Sequence, residues 1–302
     1  MAHIGIVGSG NVGANAAFFI AEKGVADVQL YDIQEGLSTG KALDMMEAAP
    51  IRGYMTKISG TDRKDVLLQS DIIMITAGKV REPGMKREDL FEANRPIIED
   101  MADSLKGSTA KVIIVTEPVD LLTALFVKRS GMNRRQVMGL GGMLDSTRLR
   151  YLIAHEMNVS FENVSALVIG RHGSSMIALP EYSSVSGIPV TRLLPPEVIE
   201  QLLASTRNAG DLIVEMAQRA SAYYGPSAAA ADLAEAIYRD TRRVLSVSTL
   251  LDGEFDVKGV AMSLPSVIGR NGVEQVMKPH LDAQQVGLFQ KSAKDLAAIL
   301  GA

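Results

Sequence analysis

The chain has 302 residues, 47% of them hydrophobic and 22% charged, with a formal charge of −4. That size and balance fit about two globular domains with large buried cores, and without a basic excess or a Lys/Arg run neither nucleic acid nor a membrane surface is expected as a partner. No cysteine is present, which excludes disulfides, thiolate nucleophiles and cysteine-ligated zinc, and no metal is expected.

The first predicted strand, 3–8 ("HIGIVG"), begins so close to the start that no signal peptide is expected. Apolar runs such as "ALVIG" and "DIIMITAG" fall far short of the ~20 residues a membrane helix needs, so a soluble, cytoplasmic protein is expected. Further strands are predicted at 27–32, 57–61, 71–78, 111–116 and 136–141, with helix-period segments between them and glycine near several helix ends. This alternation predicts an α/β fold, a doubly wound parallel sheet covered by helices on both faces.

After the first strand, Gly8, Gly10 and Gly13 form G-x-G-x-x-G, directly before a predicted helix. The first glycine permits a tight turn, the second lets a pyrophosphate approach the backbone, and the third lets helix and strand pack closely. Amides at the helix start then face the phosphates. Asp32 ends the second strand, where a carboxylate accepts both ribose hydroxyls and repels a 2′-phosphate. NAD is therefore expected rather than NADP. Farther on, "GKVREPGMKRED" (78–89) places Arg81 and Arg87 six positions apart in a segment with Gly78, Pro83 and Gly84, and by itself it reads as a solvated turn.

Beyond about residue 142 the rhythm changes. A helix is predicted over 143–159, then two extended runs around a glycine turn, a helix from Pro196 through about Ala222, and another containing "AAAAD" at 228–232. Strands over 242–255 and 259–276 are expected to turn at Asp252-Gly253 and Asn271-Gly272, before a C-terminal helix. This half reads as mixed and partly antiparallel, a second domain.

Of the four histidines, His3, His155 and His280 fit structural or surface positions. His172 ends an apolar strand between Gly170 and Gly173, where small neighbours present an imidazole to a ligand. Asp145 and Arg148, three apart in "LDSTR", share one side of a helix start. Asp145 is placed to hold His172 in the tautomer for proton transfer, and Arg148 to grip a carboxylate with two parallel hydrogen bonds. An Asp near a helix start is also a common cap.

Taken together, "GSGNVG", Asp32, "TAGKVREPGMKRED", "PVD", "LDSTRLR" and "GRHG", with the later "AYYGPSAA" and "VIGRNGVE", resemble the malate and lactate dehydrogenases in order and spacing over essentially the whole chain. The closest likeness is to the malate dehydrogenases built on the lactate dehydrogenase plan. The resemblance implies an N-terminal Rossmann domain, 1–142, and a C-terminal α+β substrate and catalytic domain, 143–302. It implies that His172 is the proton acceptor, Asp145 its carboxylate partner and Arg148 the clamp on the C1 carboxylate. It assigns Arg87 to polarising the reacting carbonyl and Arg81 to discriminating substrates, arginine there implying a second substrate carboxylate. It places Ser9, Asn11, Val12, Ala77, Gly78, Asn94, Val115 and Glu117 beside the three loop glycines and Asp32 as cofactor-binding positions. The implied activity is reversible NAD-dependent oxidation of (S)-malate to oxaloacetate by a homodimer or homotetramer. Two positions depart from the pattern: Glu117 stands where the family usually has asparagine, and Ser174 where many relatives have aspartate. Because of Glu117, substrate contact at that position stays open, and two alternatives stand: another 2-hydroxyacid dehydrogenase such as a lactate dehydrogenase, and a catalytically impaired NAD-binding homologue.

Overall fold

A computed structural model gives the fold over residues 3–79, 87–217 and 222–301, the described residues. The first half runs β1 (His3–Val7), α1 (Asn11–Glu22), β2 (Asp27–Tyr31), α2 (Leu37–Arg52), β3 (Ile58–Thr61), α3 (Lys64–Leu67), β4 (Ile72–Ile75), α4 (Arg87–Ser104), β5 (Lys111–Ile114), α5 (Val119–Ser130) and β6 (Val137–Gly139). These six strands pair in parallel in the order β3-β2-β1-β4-β5-β6, the doubly wound arrangement expected. Helices cover both faces, so central strands bury side chains on both sides and appear in sequence as unbroken apolar runs. Ile4, Ile6, Met74, Ile75, Val112, Ile113 and Ile114 are 0% exposed, and burying each large side chain contributes about 1.5–3 kcal/mol. The strands are shorter than expected at their ends, because residues such as Gly8, Ala77 and Thr116 already belong to the loops that form the site.

The second half runs α6 (Gly141–Met157), β7 (Val164–Ser165), β8 (Val168–Gly170), β9 (Met176–Ala178), β10 (Ser184–Val185), β11 (Ile188–Pro189), α7 (Pro196–Ala217), α8 (Tyr224–Tyr238), β12 (Arg243–Asp252), β13 (Lys258–Gly269), β14 (Gly272–Val276) and α9 (Ala283–Leu300). The sheet does not stop at β6. β12 pairs antiparallel with β6 through Ser248 and Gly139, β13 follows, and β8 and β9 complete one 11-stranded sheet, with β14 joined to β13. β7, β10 and β11 form a separate small sheet.

Two connections differ from expectation. In the β13–β14 register Gly269 faces Gly272, so the two-residue link is Arg270–Asn271, and Gly272 is already strand. Between β12 and β13, Gly253 leads into a short 3-10 turn, Glu254–Asp256, whose Glu254 pairs with Arg134 at 3.0 Å; the link is a clasp rather than a tight hairpin. Helix α7 is described to Ala217, short of the expected Ala222, and residues 218–221 lie outside the described residues.

Three pieces of packing place the site. The alanine-rich α8 lies against α1, with Ala229, Ala230, Ala231 and Ala234 facing Ala16, Ala17 and Ala21 in one core cluster, and the Ser227 hydroxyl donates to the Val12 carbonyl at 2.9 Å. Small side chains let these helices approach closely and tie the C-terminal half to the helix behind the glycine loop. Helix α6 leaves β6 directly and carries Asp145 and Arg148 under β8. Helix α9, started by an Asp282–Gln285 capping box, lays Phe289 and Leu296 into the core beside α5 and β13.

Candidate active site

The site lies beyond the C-terminal ends of β1, β2, β4 and β5, the crevice that an open parallel sheet leaves for ligands. At the end of β1, Gly8 turns with φ +94, a conformation L side chains rarely adopt, and a Cβ there would meet the Ala77 backbone at 2.7 Å. A Cβ on Gly13 would meet the Gly8 carbonyl at 2.0 Å, so only glycine lets α1 sit this close. Gly10 has open space where its Cβ would point. It is the N-cap of α1 and supplies no side-chain cap, so the first amides are left for a ligand. Asp32 closes the loop from the next strand: one carboxylate oxygen accepts the Ser9 amide at 2.7 Å, the other the Gln34 amide at 3.0 Å. Ser9 is fully buried.

Two cavities flank this loop. One, of about 290 Å³, is lined by Gly8, Asp32, Ile33, Ala77, Pro96 and Met101. The other, of about 240 Å³, is lined by Val12, Gly78, Val115, Glu117, Arg148 and His172 among others. Threonine hydroxyls hold the strand ends between them: Thr76 donates to the Val7 and Gly8 carbonyls, and Thr116 to those of Ile75 and Ala77. Asn94 is fully buried, accepting the Lys79 amide at 2.7 Å and donating to the Glu117 carbonyl at 2.7 Å. Its side chain therefore braces the 79 and 117 loops. Asn11 is exposed at the start of α1.

His172 follows β8 and is held from three directions. Its backbone amide donates to Asp120 at 2.7 Å, its Nδ1 faces Asp145 at 2.7 Å, and its Nε2 faces Glu117 at 3.0 Å. The Asp145 side chain is 1% exposed, that of His172 11% and that of Glu117 44%. Arg148 lies 3.4 Å from the other oxygen of Asp145. Burial works against a charged ring, but the opposing charges of Asp145 and Glu117 and their hydrogen bonds outweigh it, so the His172 pKa lies well above the ordinary value. Glu117 also accepts the Val119 amide at 3.1 Å, which aims its carboxylate into the cleft.

His172, Asp145, Arg148 and Glu117, all expected at the site, are brought together here, and the contact of Glu117 with the histidine has no mark in the sequence. Asp120 was not expected here; its signal is a carboxylate inside the apolar run "VDLLTALF". Asp120 is 4% exposed, and it accepts the Ser248 hydroxyl at 2.6 Å as well as the His172 amide. Burial pushes its carboxyl up to about 6 against those hydrogen bonds and the charge of His172. Also unforeseen were Arg207, Gly210, Asp211 and Val214 of α7, which line the cleft at His172 at helical spacing. Arg81 lies outside the described residues, as does the side chain of Arg87, which begins α4. The other histidines are elsewhere: His3 in β1, His155 stacked on Tyr151, and His280 accepting the Tyr182 hydroxyl through its carbonyl.

Among the described residues no helix is long and apolar enough to cross a membrane. Residues 2–139 match the family described as lactate/malate dehydrogenase, NAD binding domain, and residues 142–301 match lactate/malate dehydrogenase, alpha/beta C-terminal domain. The chain is 41% identical to the malate dehydrogenase of Methanosarcina mazei, over 98% of this chain and 97% of that one. Its fold superposes on the crystal structure of Cryptosporidium parvum malate dehydrogenase with a TM-score of 0.96, at 34% identity over 99% of this chain and 98% of that one. A lactate dehydrogenase of the same organism, complexed with lactic acid and nicotinamide adenine dinucleotide, gives a TM-score of 0.94 at 34% identity, over 99% and 97% of the two chains.

Proposed function

This chain belongs to the lactate/malate dehydrogenase family, and we propose that it is an NAD-dependent malate dehydrogenase that interconverts (S)-malate and oxaloacetate. The observation that carries the reading is the His172–Asp145 pair with Arg148 beside it, opening into a cleft that begins at the glycine loop.

The residues at the loop fit NAD. The open space at Gly10, the uncapped start of α1 and the carboxylate of Asp32 at the cavity rim suit a pyrophosphate and an unphosphorylated ribose. Bound there, NAD supplies the hydride acceptor, and its reduced form the donor. Val12, Ala77, Gly78 and Val115 shape the path, with Ser9 and Asn94 setting loop positions from behind. In malate oxidation the Nε2 of His172 takes the hydroxyl proton as C2 loses hydride, and the carbonyl forms. Asp145 orients the ring and stabilises its charged form. Arg148 holds the C1 carboxylate by charge-assisted hydrogen bonds worth roughly 1.5–3 kcal/mol. Arg87 polarises the carbonyl, and Arg81 meets the second carboxylate. We divide the chain by task into a cofactor-binding part, 1–142, and a substrate part, 143–302, and place it in the cytoplasm as a homo-oligomer.

The test is NADH absorbance with oxaloacetate and with pyruvate, repeated with NADPH. Oxaloacetate with NADH is expected to be turned over fastest. Pyruvate offers no second carboxylate for Arg81 to meet, so a preference of about a thousandfold or more is expected. Arg81→Gln should narrow that ratio. Faster turnover of pyruvate would make the chain a lactate dehydrogenase, and no turnover of either would leave an NAD-binding homologue.

A further inference from the structure

Both ring nitrogens of His172 face carboxylates, Nδ1 that of Asp145 at 2.7 Å and Nε2 that of Glu117 at 3.0 Å. An ionised carboxylate only accepts, so each nitrogen must donate, and an imidazole donates from both only as the imidazolium. Glu117 is half-exposed, so its carboxylate stays in contact with water. Asp145 is buried, with Arg148 against its other oxygen. We propose that Glu117 is a second proton-holding partner of His172, keeping the ring doubly protonated in the substrate-free protein, so that the site stands loaded to reduce a 2-oxo acid and must lose a proton before it oxidises a 2-hydroxy acid. The proposal rests on His172 being the proton-exchanging group of the proposed function.

The step balances. A 2-oxo acid entering the cleft presents its carbonyl oxygen to Nε2 and replaces Glu117 as acceptor. As the carbonyl carbon gains hydride, the N–H bond breaks, the new O–H bond forms, and the ring is left neutral. Glu117 then faces a nitrogen with no hydrogen, and its half-exposed carboxylate is the route by which a proton from water returns. In the other direction the ring must first release its Nε2 proton along that route, because a protonated nitrogen takes nothing from a hydroxyl.

Among the described residues the other charged groups at the ring are of both signs. Asp120 holds its backbone, and Lys79, Arg148, Arg207 and Asp211 line the same cleft. The two carboxylates in contact with the nitrogens outweigh burial.

The direct test is NMR titration of the imidazoles in protein free of cofactor and substrate; four histidines make assignment by His172→Gln simple. His172 is expected to stay charged through neutral pH and to titrate well above the ordinary ~6.5. Glu117→Gln keeps the length and an acceptor for the Val119 amide but removes the charge, and should lower that midpoint by roughly 1–3 units. Glu117→Asp, which keeps the charge, should retain part of the elevation and separates this role from a merely structural one. In turnover, kcat/KM for 2-oxo acid reduction should stay level to a high-pH break, with oxidation rising up to that same break. Glu117→Gln should bring both breaks down together. A wild-type midpoint near 6.5, or one unmoved in Glu117→Gln, overturns the proposal even if the protein turns over oxaloacetate. Absence of turnover would count against the functional reading alone, since the titration needs no activity.

Discussion

Asp120 shows how one buried carboxylate ties the site to the sheet. Its oxygens take the His172 amide from one side and the Ser248 hydroxyl from the other, so the backbone that carries the histidine is anchored to β12. The arrangement has a pH signature. Its carboxyl, ordinarily at 3.8, is raised to about 6 in the folded protein, so the stability it contributes is fully present below 3.8 and is lost as pH rises through 6. Chemical denaturation of the wild type at roughly pH 4.5 and 7.5 should show about 2 kcal/mol lost to this group. Asp120→Asn, which cannot ionise, should lack that loss, so its stability relative to wild type improves as pH rises. A difference that stays constant with pH would mean that Asp120 does not titrate in this way. At this scale residue type was legible but contact was not. Histidine at a strand end and Asp-x-x-Arg on a helix announce chemistry. Glu117 and His172 are 55 positions apart, and nothing local to either says that they touch.

Among the elements, the strands of the parallel half were legible because burial on both faces forces unbroken apolar runs, and the glycine loop because only glycine satisfies two separate close approaches. The continuation of the sheet was not legible: β6 and β12 are joined through Ser248 and Gly139, and pairing across so long a stretch leaves no periodic mark in either segment. The one-residue shift of the β13–β14 link has the same origin, since Asn-Gly signals a turn without setting its register. The loop makes a contrasting pair of predictions. Gly10 has open space around its Cβ direction and φ −66, so Gly10→Ala should leave the melting temperature nearly unchanged while weakening NAD binding about tenfold or more, because the added methyl would meet a pyrophosphate held at the loop as proposed. Gly13→Ala drives a methyl onto the Gly8 carbonyl and should cost about 1–3 kcal/mol of stability as well as affinity. Fluorescence titration with NADH, beside thermal unfolding, reads both. Equal effects of the two substitutions on stability would contradict the assigned roles.

At the scale of the whole molecule, α2 and α7 are among the described elements that leave apolar side chains uncovered. Leu43 and Ile51, eight apart on α2, and the nearby Met55 are 61%, 89% and 92% exposed, and Leu212, Ile213 and Met216 are exposed on α7. Contiguous exposed apolar patches mark interaction surfaces, so these side chains are the candidates for contacts in the proposed homo-oligomer. Sedimentation of the wild type should give a multiple of 32.3 kDa, and Ile51→Glu with Met55→Glu should bring it toward the single-chain value. A wild type already at that value would remove the oligomer from the reading.

The sheet that runs unbroken from β3 to β9 also bears on how this chain is divided. The two family matches meet at residues 139 and 142, yet cutting the chain there would strip β6 of its β12 neighbour and α1 of its α8 cover. The cofactor half would be left with a raw strand edge and a bare alanine face, both prone to self-association. The two halves to which different tasks are proposed are thus not separable as modules, and exchanging either with a relative's would mean rebuilding a seam that crosses the middle of the sheet.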